Sequence, residues 1–318
     1  MDEAMSTHLV FGAGPIGTAT ALELAANGEN VVVASRSGRG PTHNNITLVS
    51  ADASNATAVS DLAVGATAIY NCLNPAYTRW ATDWPPMANA LLTAAASSGA
   101  VYVICSNLYG YGPIDGPITT DHPLAATGTK GQVRAHMWQD ALAAHERGDV
   151  RVAEVRSSDY IGPNAESHLG DRIVPKLLAG KGVRVVGDPD VTHSWTYTVD
   201  AARTMVAAAT NPTAWGRAWH APTNTPRTQR EAIADLATTA GVPMISVKGM
   251  SRTMITSVGL FVPMVRELKE TYYQFDAPFV LDDSATRTEL GLEPTDWKIV
   301  LNEHVTPFLD EPTTARTS

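Results

Sequence analysis

Along the first half of the chain, short β-branched apolar runs alternate with longer stretches of helical periodicity. The runs are HLVFGAG from His8, NVVVAS from Asn30, ITLVSAD from Ile46, ATAIYNCL from Ala66, AVYVICSN from Ala100 and VRVAEVR from Val150. Such alternation predicts a parallel sheet with helices on both faces, an α/β fold. Val101 to Ile104 is apolar without a break, as a strand covered on both sides should be. Pro15 suits the opening turn of the first helix and Asn27-Gly28 its stop. The helix near 131–147 sets Val133, Met137, Ala141 and Ala144 on one face, with His136, Gln139, Asp140 and Arg147 largely on the other, so that face is for packing. Past residue 163 the pattern turns to helices, strand fragments and Pro-rich turns such as Gly187-Asp188-Pro189. The expected organisation is a first domain over 1–163 and a smaller α/β substrate lobe over 164–318. Residues 196–221, with a helix from Asp200 and a strand-like Ala218 to Ala221, return to the first domain. The apolar stretch from Met254 to Val265 reads as one helix, against the cleft or a subunit contact.

Composition narrows the function classes. A chain of 318 residues buries roughly three quarters of its extended surface and needs no covalent staples. Its 23 Lys and Arg against 32 Asp and Glu give a formal charge of −9. With no basic stripe, that balance argues against nucleic acid or an anionic membrane as partner. Two cysteines, Cys72 and Cys105, support neither a disulfide framework nor a multi-cysteine zinc site; they read as reduced thiols of a cytoplasmic protein. The start MDEAMSTHLVF carries acids where a signal peptide would be basic. Residues 84–114 lack charge, but Pro85, Pro86, Asn89 and several glycines interrupt them, so they do not read as a membrane span. The histidines show no HExxH or similar spacing, and no metal site is expected.

Chemistry first shows at Gly12-Ala13-Gly14-Pro15-Ile16-Gly17, a GxGxxG loop between an apolar strand and a helix. The first glycine permits a tight turn, the second lets backbone approach a pyrophosphate, and the third lets helix pack on strand. In this context the loop predicts dinucleotide binding in a Rossmann-type doubly wound parallel sheet. At the end of the second strand, where an acid would take hydrogen bonds from an NAD ribose, stand Ser35-Arg36-Ser37-Gly38-Arg39. A guanidinium there pairs with a 2′-phosphate that an acid would repel, so NADP(H) is the expected cofactor. Asp52, ending the third strand, could reach the adenine amino group or cap a turn. Ala53, Leu73 and Tyr160 complete the expected cofactor-binding set.

With this loop, Asp52, the segment Ser106 to Pro113, Lys130 on a helix, and Ser158-Asp159-Tyr160-Ile161-Gly162-Pro163, the chain resembles an extended short-chain dehydrogenase/reductase of the epimerase/dehydratase branch. Leu290-Gly291-Leu292-Glu293-Pro294 looks like that family's closing turn. The resemblance implies a catalytic Ser or Thr after the fifth strand, and a Tyr four residues before a Lys that binds the nicotinamide ribose and lowers the Tyr pKa. Lys130 matches the Lys. The Tyr position falls on Ala126, Asn107 stands where the hydroxyl belongs with Ser106 one residue off, and this branch more often shows GxxGxxG. If residues 106–111 are extended, Asn107, Tyr109 and Tyr111 share a face. Tyr109, its pKa lowered near Lys130, is then the replacement acid, and Asn107 an amide donor to a carbonyl oxygen.

Trp80, Tyr109, His193, Trp195 and Tyr273 are the expected substrate contacts, an aromatic set suited to a bulky hydrophobic molecule. Arg172, Lys176 and Arg184 keep a sugar nucleotide open. The expected function is NADP(H)-dependent oxidoreduction of a carbonyl or conjugated double bond. The alternatives are an epimerase or dehydratase that recycles its cofactor and a non-catalytic NADP(H)-binding sensor. A small-molecule substrate is expected as partner, and the family habit suggests a homodimer.

Overall fold

The computed structural model describes residues 7–165 and 167–310. The acidic start, Met1 to Ser6, lies outside the described residues. The first lobe runs β1 (Thr7–Phe11), α1 (Pro15–Ala26), β2 (Asn30–Ser35), β3 (Ile46–Ser50), α2 (Ala56–Ala63), β4 (Ala66–Asn71), α3 (Trp80–Ser98), β5 (Val101–Asn107), α4 (Thr129–Glu146) and β6 (Arg151–Ser157). The chain continues in β7 (Asp159–Ile161), α5 (Val174–Leu178), β8 (Val183–Val186), β9 (Thr192–His193) and β10 (Trp195–Tyr197), then returns to the first lobe in α6 (Thr198–Thr210) and β11 (Arg217–His220). The remainder is β12 (Arg227–Thr228), α7 (Gln229–Thr239), β13 (Val247–Met250), α8 (Arg252–Gly259), α9 (Pro263–Thr271), α10 (Ser284–Leu290) and α11 (Trp297–Asp310).

Seven strands form one sheet in the order β11-β6-β5-β4-β1-β2-β3, every pair parallel. This is the doubly wound Rossmann-type arrangement that the alternation predicts. Its central strands are apolar on both faces because helices cover both; β3, at the edge, leaves Thr47 and Leu48 exposed. One face packs α1 and α6 through Leu24, Ala201 and Met205. The other packs α2, α3 and α4 through Val59, Trp84, Leu91, Trp138 and Ala141. Residues 196–221 supply α6 and the edge strand β11, which pairs with β6.

A second core gathers Ile161, Leu177, Val185, Trp195, Ile233, Phe275 and Val300. The stretch from Met254 to Val265 is not one helix: α8 ends at Gly259 and α9 opens at Pro263. Proline supplies no N–H to continue α8 but suits the first turn of a new helix. The strand order reverses between β1 and β4, and such a switch point opens a crevice at the carboxyl ends of the strands. The second lobe closes over that crevice.

Candidate active site

A cleft of about 1030 Å³ runs along these strand ends. At one end it meets the N-terminus of α1, where Gly12 turns the chain at φ +102. A Cβ on Gly12 would lie 2.5 Å from the Cys72 carbonyl oxygen, and one on Gly17 would lie 1.9 Å from the Gly12 carbonyl oxygen. Beside Gly14 there is open space. Gly12 and Gly17 therefore press α1 against the strands, while Gly14 leaves the backbone bare toward the cleft. No side chain caps α1 and its first turn holds no acid. Free amides and the positive end of the helix dipole make this a seat for an anion.

Beyond that seat lies the β2 turn. Ser35 Oγ donates to the Arg39 carbonyl and Ser50 Oγ to the Arg36 carbonyl, at 2.8 Å and 3.0 Å. Arg36 lines the cleft with no ion pair among the described residues. Asp52 also lines it; its Oδ1 accepts from Ser54 N and Ser54 Oγ at 2.9 Å and 2.8 Å. The Ser54 bonds, backbone first, hold the Asp52 carboxyl below its ordinary pKa.

In mid-cleft the structure departs from the expected geometry. The extended backbone stops at Asn107, whose Oδ1 accepts from Tyr109 N at 3.1 Å, and Tyr109–Tyr111 coil into a single 3-10 turn. Tyr109 and Tyr111 therefore point to different surroundings. Tyr111 is buried and bonds Arg156 and His220. Tyr109 bonds the Tyr77 hydroxyl at 2.6 Å and stacks on Trp80. Its pKa is not lowered: burial pushes it well above 10, the Tyr77 and Asp159 charges adding to that. Lys130 cannot reverse this, because its Nζ is held by Glu267 at 2.5 Å and Glu270 at 3.3 Å and does not line the cleft.

The helix start explains the discrepancy. Ala126 lies in the loop before α4, so Ala126 and Lys130 are not one turn apart on a helix. Lys130 and Arg134 are, and Arg134 lines the cleft. Its guanidinium packs 4.7 Å and 4.4 Å from the Trp80 and Trp84 rings, donates to the Cys105 carbonyl at 3.2 Å, and leaves Nε without a partner. Burial lowers its pKa. The i, i+4 spacing from Lys130 is the signal that could have found Arg134 in the sequence.

The far end of the cleft is built by the second lobe. Asp159 Oδ2 lies 2.7 Å from His193 Nε2, and Oδ1 lies 3.9 Å from His168 Nε2. His193 is fully buried, its Nδ1 is 3.1 Å from the Gln274 carbonyl, and its ring stacks on Phe275 and Phe279. A carbonyl only accepts, so Nδ1 is the donor to Gln274, and Nε2 is the ring atom that meets Asp159. Burial pushes the Asp159 carboxyl up, but the His193 hydrogen bond and the two imidazoles hold it below its ordinary pKa. Burial lowers the His168 pKa, with Asp159 opposing and Arg172 and His193 adding to the effect.

Of the sequence-predicted residues, Gly12, Gly14, Pro15, Ile16, Ser35, Arg36, Asp52, Ala53, Leu73, Trp80, Asn107, Tyr109 and Tyr160 line this one cleft. Gly17, Arg39, Lys130, His193, Trp195 and Tyr273 do not. Trp195 is core, its Nε1 spent on the Arg227 carbonyl, and Tyr273 packs edge-on against Phe279. Tyr77, His168 and Gln274 line the cleft unforeseen, because no local pattern marks them, and Asp159 lines it from the Ser158 to Pro163 segment, where the sequence marks no role for it. Among the described residues there is no group of three or more His, Cys, Asp or Glu able to hold a metal ion, and no helix long and apolar enough to cross a membrane.

The model of the NAD dependent epimerase/dehydratase family matches residues 8–219. No curated protein matches the chain in sequence. A UDP-glucose 4-epimerase from Thermotoga maritima, solved with UDP-glucose, superposes with a TM-score of 0.78 at 17% identity, covering 95% of this chain and 98% of that one. A dTDP-glucose 4,6-dehydratase from Streptomyces venezuelae, solved with NAD, gives 0.78 at 20% identity, with coverage of 96% and 97%. An epimerase from Methanothermobacter thermautotrophicus gives 0.80 at 15% identity, with coverage of 96% and 92%.

Proposed function

The chain belongs to the NAD dependent epimerase/dehydratase family, and from that premise we propose that it binds NADP(H) and acts as an oxidoreductase on a bulky hydrophobic small molecule. The reaction proposed is reduction of a carbonyl or conjugated double bond, or its reverse. The observation that carries the cofactor half is the uncapped, acid-free N-terminus of α1, with Gly14 bare toward the cleft. The residues present fit a dinucleotide. The α1 amides would hold its pyrophosphate, Arg36 a 2′-phosphate, and Asp52, with one carboxylate oxygen still free of Ser54, the adenosine end. No acid stands at the end of β2 to repel that phosphate.

When bound, the nicotinamide supplies hydride exchange with a substrate carbon. The chain supplies position and exclusion of water: Trp80, Tyr77 and Tyr109 wall the middle of the cleft, and Leu268 and Phe279 face it from the second lobe. This apolar, aromatic lining favours a hydrophobic substrate.

Nicotinamide fluorescence with the nucleotide-free chain tests the reading. NADPH should bind more tightly than NADH by roughly 10- to 100-fold, the worth of one charge-assisted pair of about 1.5–3 kcal/mol. Arg36→Asp should reverse the order. Equal affinity for the two would remove the NADP assignment, and binding of neither would remove the cofactor reading. A second reading is favoured by the solved structures, which include a sugar-nucleotide epimerase and dehydratase: an isomerising or dehydrating enzyme that recycles its nucleotide. Stoichiometric consumption of NADPH separates the two.

A further inference from the structure

We infer that His168, backed by Asp159, is the group that exchanges a proton with an oxygen atom of the bound substrate. The inference rests on the oxidoreductase reading and supplies the acid–base residue that reading lacks. The other candidates are disqualified by their surroundings. Tyr109 is a half-buried phenol whose hydroxyl is tied to Tyr77. Lys130 is locked by two glutamates outside the cleft. Asn107 has no proton to lose, and its carbonyl oxygen is spent on Tyr109 N.

His168 has the geometry these lack. It lines the substrate end of the cleft, 20% exposed, with its ring held edge-on against Phe275 at 4.6 Å. Its Nε2 faces Asp159 Oδ1, and its Nδ1 makes no hydrogen bond among the described residues. Behind it, His193 fixes the other oxygen of Asp159 and is itself fixed by the Gln274 carbonyl, so the carboxylate cannot rotate away. Among the described residues, the charged or titratable groups that face His168 are Asp159, His193 and Arg172.

A second observation on the same wall points to an oxygen-bearing ligand. The Gln274 side chain is 2% exposed and lines the cleft, and among the described residues its buried Nε2 has no partner but the neighbouring Tyr273 phenol. A buried amide donor so sparsely paired is unfavourable, and a substrate carbonyl or hydroxyl oxygen would pair it. Donor amide and imidazole together suit a secondary alcohol or the corresponding ketone on an apolar body, with Leu268 and Phe279 alongside.

In the proton step, the substrate O–H bond breaks, an N–H bond forms on Nδ1, and the electron pair stays on oxygen. Asp159 opposes the positive charge that His168 gains. In the opposite direction Nδ1 returns the proton to that oxygen.

The test uses the full chain with NADPH added. Diethyl pyrocarbonate acylates neutral, reachable imidazoles, and peptide mass spectrometry assigns each site. His168 should react at least about tenfold faster than His193, with a pH midpoint below its ordinary ~6.5, and Asp159→Asn should move that midpoint lower still. With any ketone that the wild type reduces, His168→Gln should lower kcat by roughly 10²- to 10⁴-fold and erase the corresponding limb of the pH profile, leaving NADPH affinity unchanged. If His168 reacts no faster than His193, or His168→Gln keeps the wild-type rate, the proposal is overturned. Should wild-type protein fail to bind NADPH, the cofactor reading falls instead, and His168 reactivity in the nucleotide-free chain still decides this one.

Discussion

Acidification should strip stability from the first lobe through one histidine, and the size of the loss follows from the structure. His220 ends β11 and is 1% exposed. Its Nδ1 lies 2.8 Å from the Asp282 carbonyl, so Nδ1 carries the proton; its Nε2, 2.9 Å from the Tyr111 hydroxyl, must accept. Tyr111 in turn accepts from Arg156 Nη1 at 2.6 Å and so has its own hydrogen free for His220. The chain of bonds closes only for a neutral imidazole. A second proton would turn the Tyr111 hydroxyl hydrogen away from His220, its acceptor, and add charge beside Arg156. Burial, with the Asp282 carbonyl opposing and Arg156 adding, pushes the His220 pKa from 6.5 to about 4.

The unfolded chain therefore binds this proton more readily. The stabilisation is fully present above about pH 6.5 and is lost as pH falls through 4. Linkage between those two values gives a loss of about 1.4 kcal/mol by about pH 5.5 and about 2.5 kcal/mol by about pH 4.5. Urea unfolding of wild type and His220→Gln at about pH 7 and about pH 4.5 measures it. His8, His168 and His304, whose pKa values burial also lowers, contribute equally to both proteins and cancel in the difference. The wild type should lose about 2.5 kcal/mol more than the variant; identical pH dependence of the two would refute the reasoning.

Three further outcomes are expected. Gly12→Ala, whose Cβ would meet the Cys72 carbonyl at 2.5 Å, should displace the loop and weaken NADPH binding at least about tenfold by fluorescence titration, since φ > 0 and the close approach both exclude a side chain. Tyr109→Phe leaves the Tyr77 hydroxyl without its partner and should cost about 1–3 kcal/mol in urea unfolding while kcat stays within about threefold of wild type. Lys130→Met leaves Glu267 and Glu270 facing each other and the start of α4; it should destabilise by on the order of 3 kcal/mol, seen as a lower Tm, with Glu267→Gln milder.

The sequence by itself determined the elements whose signals are local. Strand runs, the glycine loop and the caps at Pro15 and Asn27-Gly28 depend on neighbours a few residues away, and they are where the alternation puts them. The coarse fold followed, because parallel strands joined by helices have few ways to pack. What only the tertiary structure decided is the chemistry of the mid-cleft and the substrate end. Lys130 matches a motif by spacing, yet its role is set by two glutamates about 140 positions later in the chain. Tyr109 reads as an acid until burial and Tyr77 raise its pKa. Trp195 and His193 read as substrate contacts but are drawn into the second core. Asp159, His168 and Gln274 were not legible as one site, because Asp159 meets His193 34 positions on and Gln274 joins them from more than a hundred positions beyond Asp159 and His168. Charge, burial and hydrogen-bond partners are properties of such long-range neighbours, and spacing along the chain does not encode them.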